Sequence, residues 1–253
     1  MYRLDGVTKV VIFGLDYFAP AWDRKLSDGE LDFNPHRDSH FLIGGGFLEF
    51  DRSTGETGAY DDFWIWTTKN QGRHVKSIYD HIKAAVTVPS NLGDDMTVLA
   101  GVGIVNTALP ILHALFIKHQ VAPEAEIFSV MTQFRAVDLA LCAIPMFKSN
   151  TPWHAYPRTK EELGTKYKFD SFKRVGLSVL KRFDAGRYGE VADRMKAEVH
   201  QTALIYKEML SDRHLMHRQR RHYLRLCKKF EVAPVAASDG PATGEPEEDE
   251  ATA

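Results

Sequence analysis

Cysteines and long hydrophobic segments are scarce in this sequence of 253 residues. Its two cysteines, Cys142 and Cys227, lie far apart and form no metal-ligand spacing, which fits a reducing compartment. The longest apolar stretch, residues 108–117, contains Pro110 and His113 and is too short to cross a bilayer. These absences exclude a cysteine-based metal site and a transmembrane helix.

Charge of one sign is also lacking, since the formal net charge is −2. The total charge therefore indicates no partner, although its distribution along the chain does. The first residues, Met-Tyr-Arg-Leu-Asp, carry no apolar signal core. We therefore expect an intracellular protein, for example a cytoplasmic one, whose hydrophobic share of 44% suffices for a buried core.

Short apolar runs rich in β-branched and aromatic residues predict five strands. They lie at residues 9–17, 40–51, 61–68, 97–100 and 136–141. The turn-rich link between the second and third runs predicts a hairpin. Within the second run, the three glycines Gly44, Gly45 and Gly46 indicate a bulge or a close backbone approach.

Helical periodicity predicts four helices, at residues 74–86, 106–120, 160–163 and 188–210. Three strands that can pair antiparallel thus precede strand–helix crossovers that favour parallel pairing. The order predicts an α/β protein with a mixed five-stranded sheet flanked by helices.

Four local motifs follow this order. They are residues 11–20 (VIFGLDYFAP), residues 98–112 (VLAGVGIVNTALPIL), residues 134–139 (FRAVDL) and residues 194–206 (RMKAEVHQTALIY). In order and spacing they resemble DEDD-type 3′–5′ exonucleases, particularly those related to the proofreading domain of family B polymerases. The resemblance covers about four-fifths of the chain and implies a ribonuclease H-like fold.

The chain departs from that family at the carboxylates. Four acids hold two divalent ions in such exonucleases, and the matching positions here are Gly14, Asp16, Ala108 and Glu198. Glycine and alanine offer no ligand, so Asp16 and Glu198 are expected as catalytic remnants and no metal site is predicted. Where the family places its general base stand Arg194, which stays protonated, and Asp193, for which nothing supports that role. We expect no cofactor, and Mg²⁺ or Mn²⁺ only if the protein is active.

Other patterns are interpreted structurally. Residues 101–106 (GVGIVN) mimic a dinucleotide-binding loop but lack its third glycine, so a tight strand-to-helix turn is the preferred reading. His36, His40 and His74 match no ligand spacing and are interpreted as isolated surface histidines. The adjacent Asp61 and Asp62 are interpreted as a solvated pair.

Residues 213–229 contain seven Lys or Arg, three His and no acid. They predict a basic, weakly amphipathic helix, and we expect an anionic partner because its uncompensated charges repel one another. A membrane surface is disfavoured since the apolar face is thin. The residues expected to contact nucleic acid are Arg218, Arg220, Arg221, Arg225, Lys228 and Lys229.

From residue 233 the composition turns to Pro, Ala, Ser, Gly and acids, which predicts a disordered acidic tail. The expected organisation is an exonuclease-type domain at 1–211, a basic helical extension at 212–232 and the tail at 233–253. The tail is hypothesised to fold back on the basic helix and to compete with nucleic acid.

Three functions remain open. The leading hypothesis is a degenerate, inactive exonuclease-fold protein that binds single-stranded DNA or RNA beside replication, repair or RNA-processing machinery, with a protein partner possible. The second is an active metal-dependent 3′–5′ exonuclease with a rearranged site, in which Asp138 or Asp193 helps Asp16 and Glu198. The third is a scaffold that retains only the fold, with an apolar patch over the former cleft. Four tryptophans are available for that patch, although burial in the core is the expectation for them: Trp22, Trp64, Trp66 and Trp153.

Overall fold

A computed structural model describes residues 9–24, 33–52, 54–86, 97–144, 160–168 and 176–229. Its centre is a five-stranded sheet in the order β3-β2-β1-β4-β5. The strands are β1 (Lys9–Phe18), β2 (Phe41–Phe50), β3 (Thr57–Trp64), β4 (Thr97–Gly101) and β5 (Arg135–Asp138). β2 pairs antiparallel with both β1 and β3, whereas β4 pairs parallel with β1 and β5. The predicted mixed five-stranded sheet flanked by helices is confirmed.

Helices cover both faces of this sheet. They are α1 (Ile65–Thr68), α2 (Gln71–Val86), α3 (Leu109–Lys118), α4 (Glu124–Thr132), α5 (Leu139–Ala143), α6 (Lys160–Lys166), α7 (Gly176–Asp184), α8 (Tyr188–Ser211) and α9 (Arg213–Lys229). A π-helical turn, Ile104–Ala108, precedes α3. None of the described helices combines the length and the hydropathy that a membrane crossing requires.

The alternation of side chains along β1 divides the core into two layers. Val10 and Ile12 face a cluster that includes Met195 and Val199 of α8. Val11 and Phe13 face the second cluster, which includes residues of α2, α3 and α4. Each fully buried aliphatic side chain stabilises the fold by about 1.5–3 kcal/mol. β1 is thereby held between the two layers, and its carboxyl end is placed against α8.

The triple glycine of β2 gives the backbone approach that the sequence predicts. A Cβ atom on Gly45 would lie 2.5 Å from the carbonyl oxygen of Gly14, and one on Gly46 would lie 2.5 Å from the Tyr60 hydroxyl. The pairing of β1 with β2 also shifts register between Asp16 and Tyr17. The predicted bulge and close approach are both present.

Two predicted strands end differently in the structure. The run 61–68 leaves the sheet at Trp64, and its second half forms the single helical turn α1, which Lys69 ends in the left-handed conformation at φ 52°. The run 136–141 leaves the sheet at Asp138, and its second half begins α5. The helix α4, which the sequence patterns did not predict, precedes this run; it starts after Pro123 and carries Glu124 and Glu126 in its first turn. Acidic side chains at a helix N-terminus favour that helix, and only the short β5 follows it.

The basic extension forms α9 as predicted, directly after α8. The loop around Pro145, Pro152 and Pro157 and the acidic tail at 233–253 lie outside the described residues. The domain boundaries at 211 and 232 remain predictions.

Candidate functional site

Three of the four positions matched to family carboxylates meet at the carboxyl end of β1. Gly14 and Asp16 lie on the same side of β1, and Glu198 reaches them from α8. A Cβ atom on Gly14 would lie 3.7 Å from the Glu198 carboxylate. Ala108 instead packs in the core layer on the other side of the sheet. The structure therefore unites Asp16 with Glu198 and leaves Ala108 apart.

A basic side chain lies between the two carboxylates. The Arg194 guanidinium donates from Nη2 to Asp16 Oδ2 and from Nη1 to Glu198 Oε2. The ammonium of Lys160 donates to the other oxygen, Glu198 Oε1. Two positive charges thus meet two negative charges, and we call Asp16, Lys160, Arg194 and Glu198 the ion-pair network.

Local structure explains how these residues meet. Arg194 and Glu198 are four residues apart on α8 and therefore lie on one helical face, one turn from each other. Gly14 lets α8 approach β1 closely, because a Cβ there would lie 3.0 Å from Met195 Sδ. Lys160 comes from the start of α6, which begins beside the site.

Burial makes the charges of this network interdependent. The side chains of Asp16, Arg194 and Glu198 are only 13%, 16% and 11% exposed. Burial raises the pKa of Asp16 above its ordinary value, even though Arg194 opposes that change. Burial alone would also raise the pKa of Glu198, but its pairs with Lys160 and Arg194 together outweigh this effect and lower it. Two cations therefore keep Glu198 ionised inside the protein.

The arrangement does not fit a pair of divalent ions. Two carboxylates remain of the four that such a site needs, and both already bind cationic side chains. Within the described ranges, no group of three or more His, Cys, Asp or Glu side chains has a metal-binding arrangement. At the position matched to the general base, Arg194 is a proton donor only, and its pKa is raised further by the two carboxylates despite the opposing effect of burial.

The two acids considered as additional ligands are placed elsewhere. Asp193 points to solvent on the outer side of α8. Asp138, at the end of β5, accepts backbone hydrogen bonds from Gly103 (3.0 Å), Val105 (3.0 Å) and Ala140 (3.0 Å). It therefore caps α5 and fixes the turn after β4, and its oxygens are not available to an ion beside Asp16. The tight turn predicted for residues 101–106 is formed, with Gly103 at φ 73°.

Tyr60 borders the ion-pair network and was not identified from the sequence. Its ring lies over Gly46, its hydroxyl is buried without a hydrogen-bond partner, and the ammonium of Lys196 lies 5.5 Å from its ring centroid. Burial, and then the charge of Asp62, raises the pKa of this hydroxyl, so Tyr60 stays neutral at physiological pH. It offers no negative charge to a metal.

The basic residues of α9 form a stripe on the helix. At 100° per residue, positions 218, 221, 225, 228 and 229 fall within about 100° of the helix circumference. Arg221, Arg225, Lys228 and Lys229 are exposed, as is Arg220 outside the stripe, whereas Arg218 has its side chain outside the described set. Cys227, on the opposite side, is buried at 7% exposure. The stripe therefore faces solvent, and its phosphate-binding role remains a prediction.

Two expectations about histidines and tryptophans are wrong. His40 and His74 are buried, at 1% exposure each, instead of lying on the surface. His40 accepts from the Asn34 N–H at Nδ1 and pairs with Asp23 through Nε2, both at 3.0 Å. Trp22, which was expected in the core, is 73% exposed. His36, Asp61 and Asp62 are exposed as predicted.

Sequence reasoning treated Arg194 only as an unsuitable base and missed its pairing. The spacing of four residues between Arg194 and Glu198 was the available signal, because such pairs meet on a helix. No spacing could identify Lys160, which lies 38 residues before Glu198.

No family model matches the sequence, and no curated protein matches it. Thirteen chains of solved structures do. One is exonuclease I, from a study of how its processivity is achieved, at 13% identity and a TM-score of 0.49, over 85% of this chain and 44% of that one. Another is an ExoI/SSB-Ct complex, at 12% identity and a TM-score of 0.46, over 88% and 46%.

A third is E. coli exonuclease I in complex with a dT13 oligonucleotide, at 13% identity and a TM-score of 0.44, over 87% of this chain and 43% of that one. The chain therefore spans less than half the length of these exonuclease I chains. The fold assignment follows from the strand order and pairing of this chain itself.

Proposed function

We propose that this protein is a degenerate DEDD-type 3′–5′ exonuclease that binds single-stranded nucleic acid without cutting it. The observation that carries the proposal is the position of Arg194, which donates to Asp16 and Glu198 at once. A guanidinium neutralises the carboxylates as a metal ion would, but unlike a metal ion it cannot coordinate a water molecule. It cannot generate the metal-bound hydroxide that attacks a phosphodiester.

The guanidinium between the two carboxylates also favours binding of an intact strand. In the absence of metal, a cluster of uncompensated acids repels phosphates, whereas the charges of the ion-pair network cancel. The stripe on α9 then adds positive charge that faces solvent, and phosphate contacts with Arg221, Arg225 and Lys228 would release counterions. A salt-sensitive, metal-independent affinity is the expected signature. An intracellular setting beside replication, repair or RNA processing, with a protein partner, belongs to this proposal.

The test incubates the purified protein with 5′-labelled single-stranded DNA and RNA, with Mg²⁺, Mn²⁺ or EDTA. We expect no degradation, and a mobility shift of the intact strand that weakens as salt rises and is unchanged by EDTA. Glu198→Gln is compared with Glu190→Gln, its exposed counterpart on the same helix. The Glu198→Gln variant, like the wild-type protein, should show no nuclease activity.

One observation favours the alternative of an active exonuclease with a rearranged site, because Asp16 and Glu198 do meet. A ladder of products that disappears with EDTA and with Glu198→Gln, but persists with Glu190→Gln, would establish it and refute our proposal. The absence of both degradation and a shift would leave the scaffold hypothesis.

A further inference from the structure

Three aromatic rings form a parallel stack beside the ion-pair network. The ring centroids of Trp64 and Trp66 are 4.5 Å apart, and those of Trp66 and Tyr188 are 4.7 Å apart. Both pairs are inclined by only 9°. Most aromatic pairs in proteins are offset or tilted, and a run of three parallel rings resembles the arrangement of stacked bases. We call Trp64, Trp66 and Tyr188 the aromatic stack.

Strand register places the first ring of this stack next to the former catalytic position. Asp16 of β1 lies opposite Gly44 of β2, and Gly44 lies opposite Trp64 of β3. Because Gly44 has no side chain, the Trp64 ring lies directly over it, 2.3 Å from where a Cβ would be. Asp16 and Trp64 are thus two strands apart in one row, and both belong to the side of the sheet that α8 covers.

Exposure increases along the stack toward solvent. Trp64 is 5% exposed, Trp66 is half-buried, and Tyr188 at the start of α8 is 38% exposed. Trp66 covers one face of the Tyr188 ring and Phe183 approaches it at 50°. The two glycines beside it, Gly186 and Gly189, would have nothing within 4 Å of an added Cβ. Within the described ranges, Tyr188 is therefore the solvent-exposed end of the stack.

Positive charge borders this outer end. Arg187 precedes Tyr188, and Arg182 lies in the last turn of α7. Both guanidiniums donate to the one carboxylate of Glu190, at 3.3 Å and 3.1 Å. Because Arg182 and Arg187 share the single carboxylate of Glu190, one positive charge remains uncompensated among these three side chains, near Tyr188 in the chain. This combination matches a base followed by its phosphate.

We propose that Tyr188 is a base-stacking platform: a nucleobase of a bound single strand extends the aromatic stack on the outer face of Tyr188, with its phosphate near Arg187. The proposal rests on the proposed function, since it requires that the chain binds nucleic acid. It adds the chemical class that is recognised, an unpaired base, and the residue that recognises it.

The probe is a fluorescein-labelled thymidine oligonucleotide of about ten nucleotides, compared with an abasic strand of the same length and charge. Fluorescence polarisation at one fixed salt concentration gives both affinities. Since stacking on one aromatic ring strengthens binding by about 5- to 150-fold, the full-length protein should prefer the thymidine strand by such a factor. The thymidine strand alone should also quench the tryptophan emission, because Trp66 lies one ring from the platform.

Variants then assign the preference to Tyr188. Tyr188→Phe keeps a ring and should keep it, whereas Tyr188→Leu should reduce it to less than twofold and leave the affinity for the abasic strand unchanged. Equal affinity of the wild-type protein for the two strands, or no quenching, would overturn the platform while leaving the proposed function in place. Failure to bind either strand would refute the proposed function itself. The comparison of the two strands with the wild-type protein needs no variant, so the proposal stays falsifiable even if Tyr188→Leu does not fold.

Discussion

The substitution Arg194→Gln tests the central feature of the structure. It removes the guanidinium that Asp16 and Glu198 share and leaves both carboxylates largely buried, with Lys160 as the one remaining cation of the network. Breaking a buried ion pair by removing one partner typically costs 3–5 kcal/mol, because the remaining charge is uncompensated. For a domain of this size that corresponds to a decrease in Tm of roughly 6–20 °C.

The assay is thermal unfolding at pH 7, with Arg187→Gln as the matched control. Arg187 donates to Glu190 on the surface, so its loss should cost no more than about 1 kcal/mol. If Arg194→Gln changes Tm as little as the control does, the ion-pair network does not stabilise the fold and our reasoning is refuted.

Two changes of condition, a lower pH and added Mn²⁺, should raise the stability of the Arg194→Gln variant. Without the guanidinium, Asp16 keeps the two effects that raise its pKa, burial and the charge of Glu198. The folded state therefore binds more protons than the unfolded chain, and its stability should rise as pH falls from 7 to 5. Mn²⁺ should also stabilise the variant: at ten times a millimolar dissociation constant, linkage gives about 1.4 kcal/mol. The wild-type protein should show no such response to Mn²⁺.

Three further predictions concern other parts of the chain. Arg221→Glu on α9 should weaken binding of a single strand and lower the slope of log affinity against log salt concentration by at least about 0.7, the value for one lost phosphate contact. The control Arg73→Glu on α2 should change neither quantity. Polarisation titrations at several salt concentrations measure both. Asp138→Ala should lower the free energy of unfolding by about 3 kcal/mol in urea titrations, because three backbone N–H groups, one buried and two partly buried, lose a charged acceptor. His74 is buried with neither ring nitrogen bonded, and burial lowers its pKa to about 4. Wild-type stability should therefore fall by about 3 kcal/mol as pH decreases from 6.5 to 4, and His74→Met should remove that loss while the exposed-site control His36→Gln keeps it.

The sheet could be predicted because its strands carry strong local signals. The run at 9–17 is apolar and β-branched, and the two core layers confirm that β1 is buried on both faces. The helix α4 was missed although Pro123 and the acids Glu124 and Glu126 mark its start. A short apolar segment satisfies both periodicities, and there the capping residues are the better guide.

The candidate site was predictable in part. The order of motifs brought Asp16 and Glu198 together correctly, because strand order and helix order fix which ends of the sheet meet. The contact of Lys160 with Glu198 and the stack of Trp64, Trp66 and Tyr188 depend on packing between segments far apart in the chain. Local periodicity carries no information about such contacts.

The carboxylate of Asp138 and the guanidinium of Arg194 each occupy a place that could otherwise bind an ion. The turn after β4 presents backbone N–H groups of the kind that bind phosphate in dinucleotide sites, and Asp138 already occupies them. Likewise, Arg194 occupies the place between the carboxylates that attracts cations. At both points the polypeptide supplies its own counterion. At these two points charged groups of the chain thus neutralise each other, and the proposed recognition of nucleic acid is left to the outer surface. There an exposed ring and a row of cations suit a long, flexible polyanion better than a small diffusible ligand.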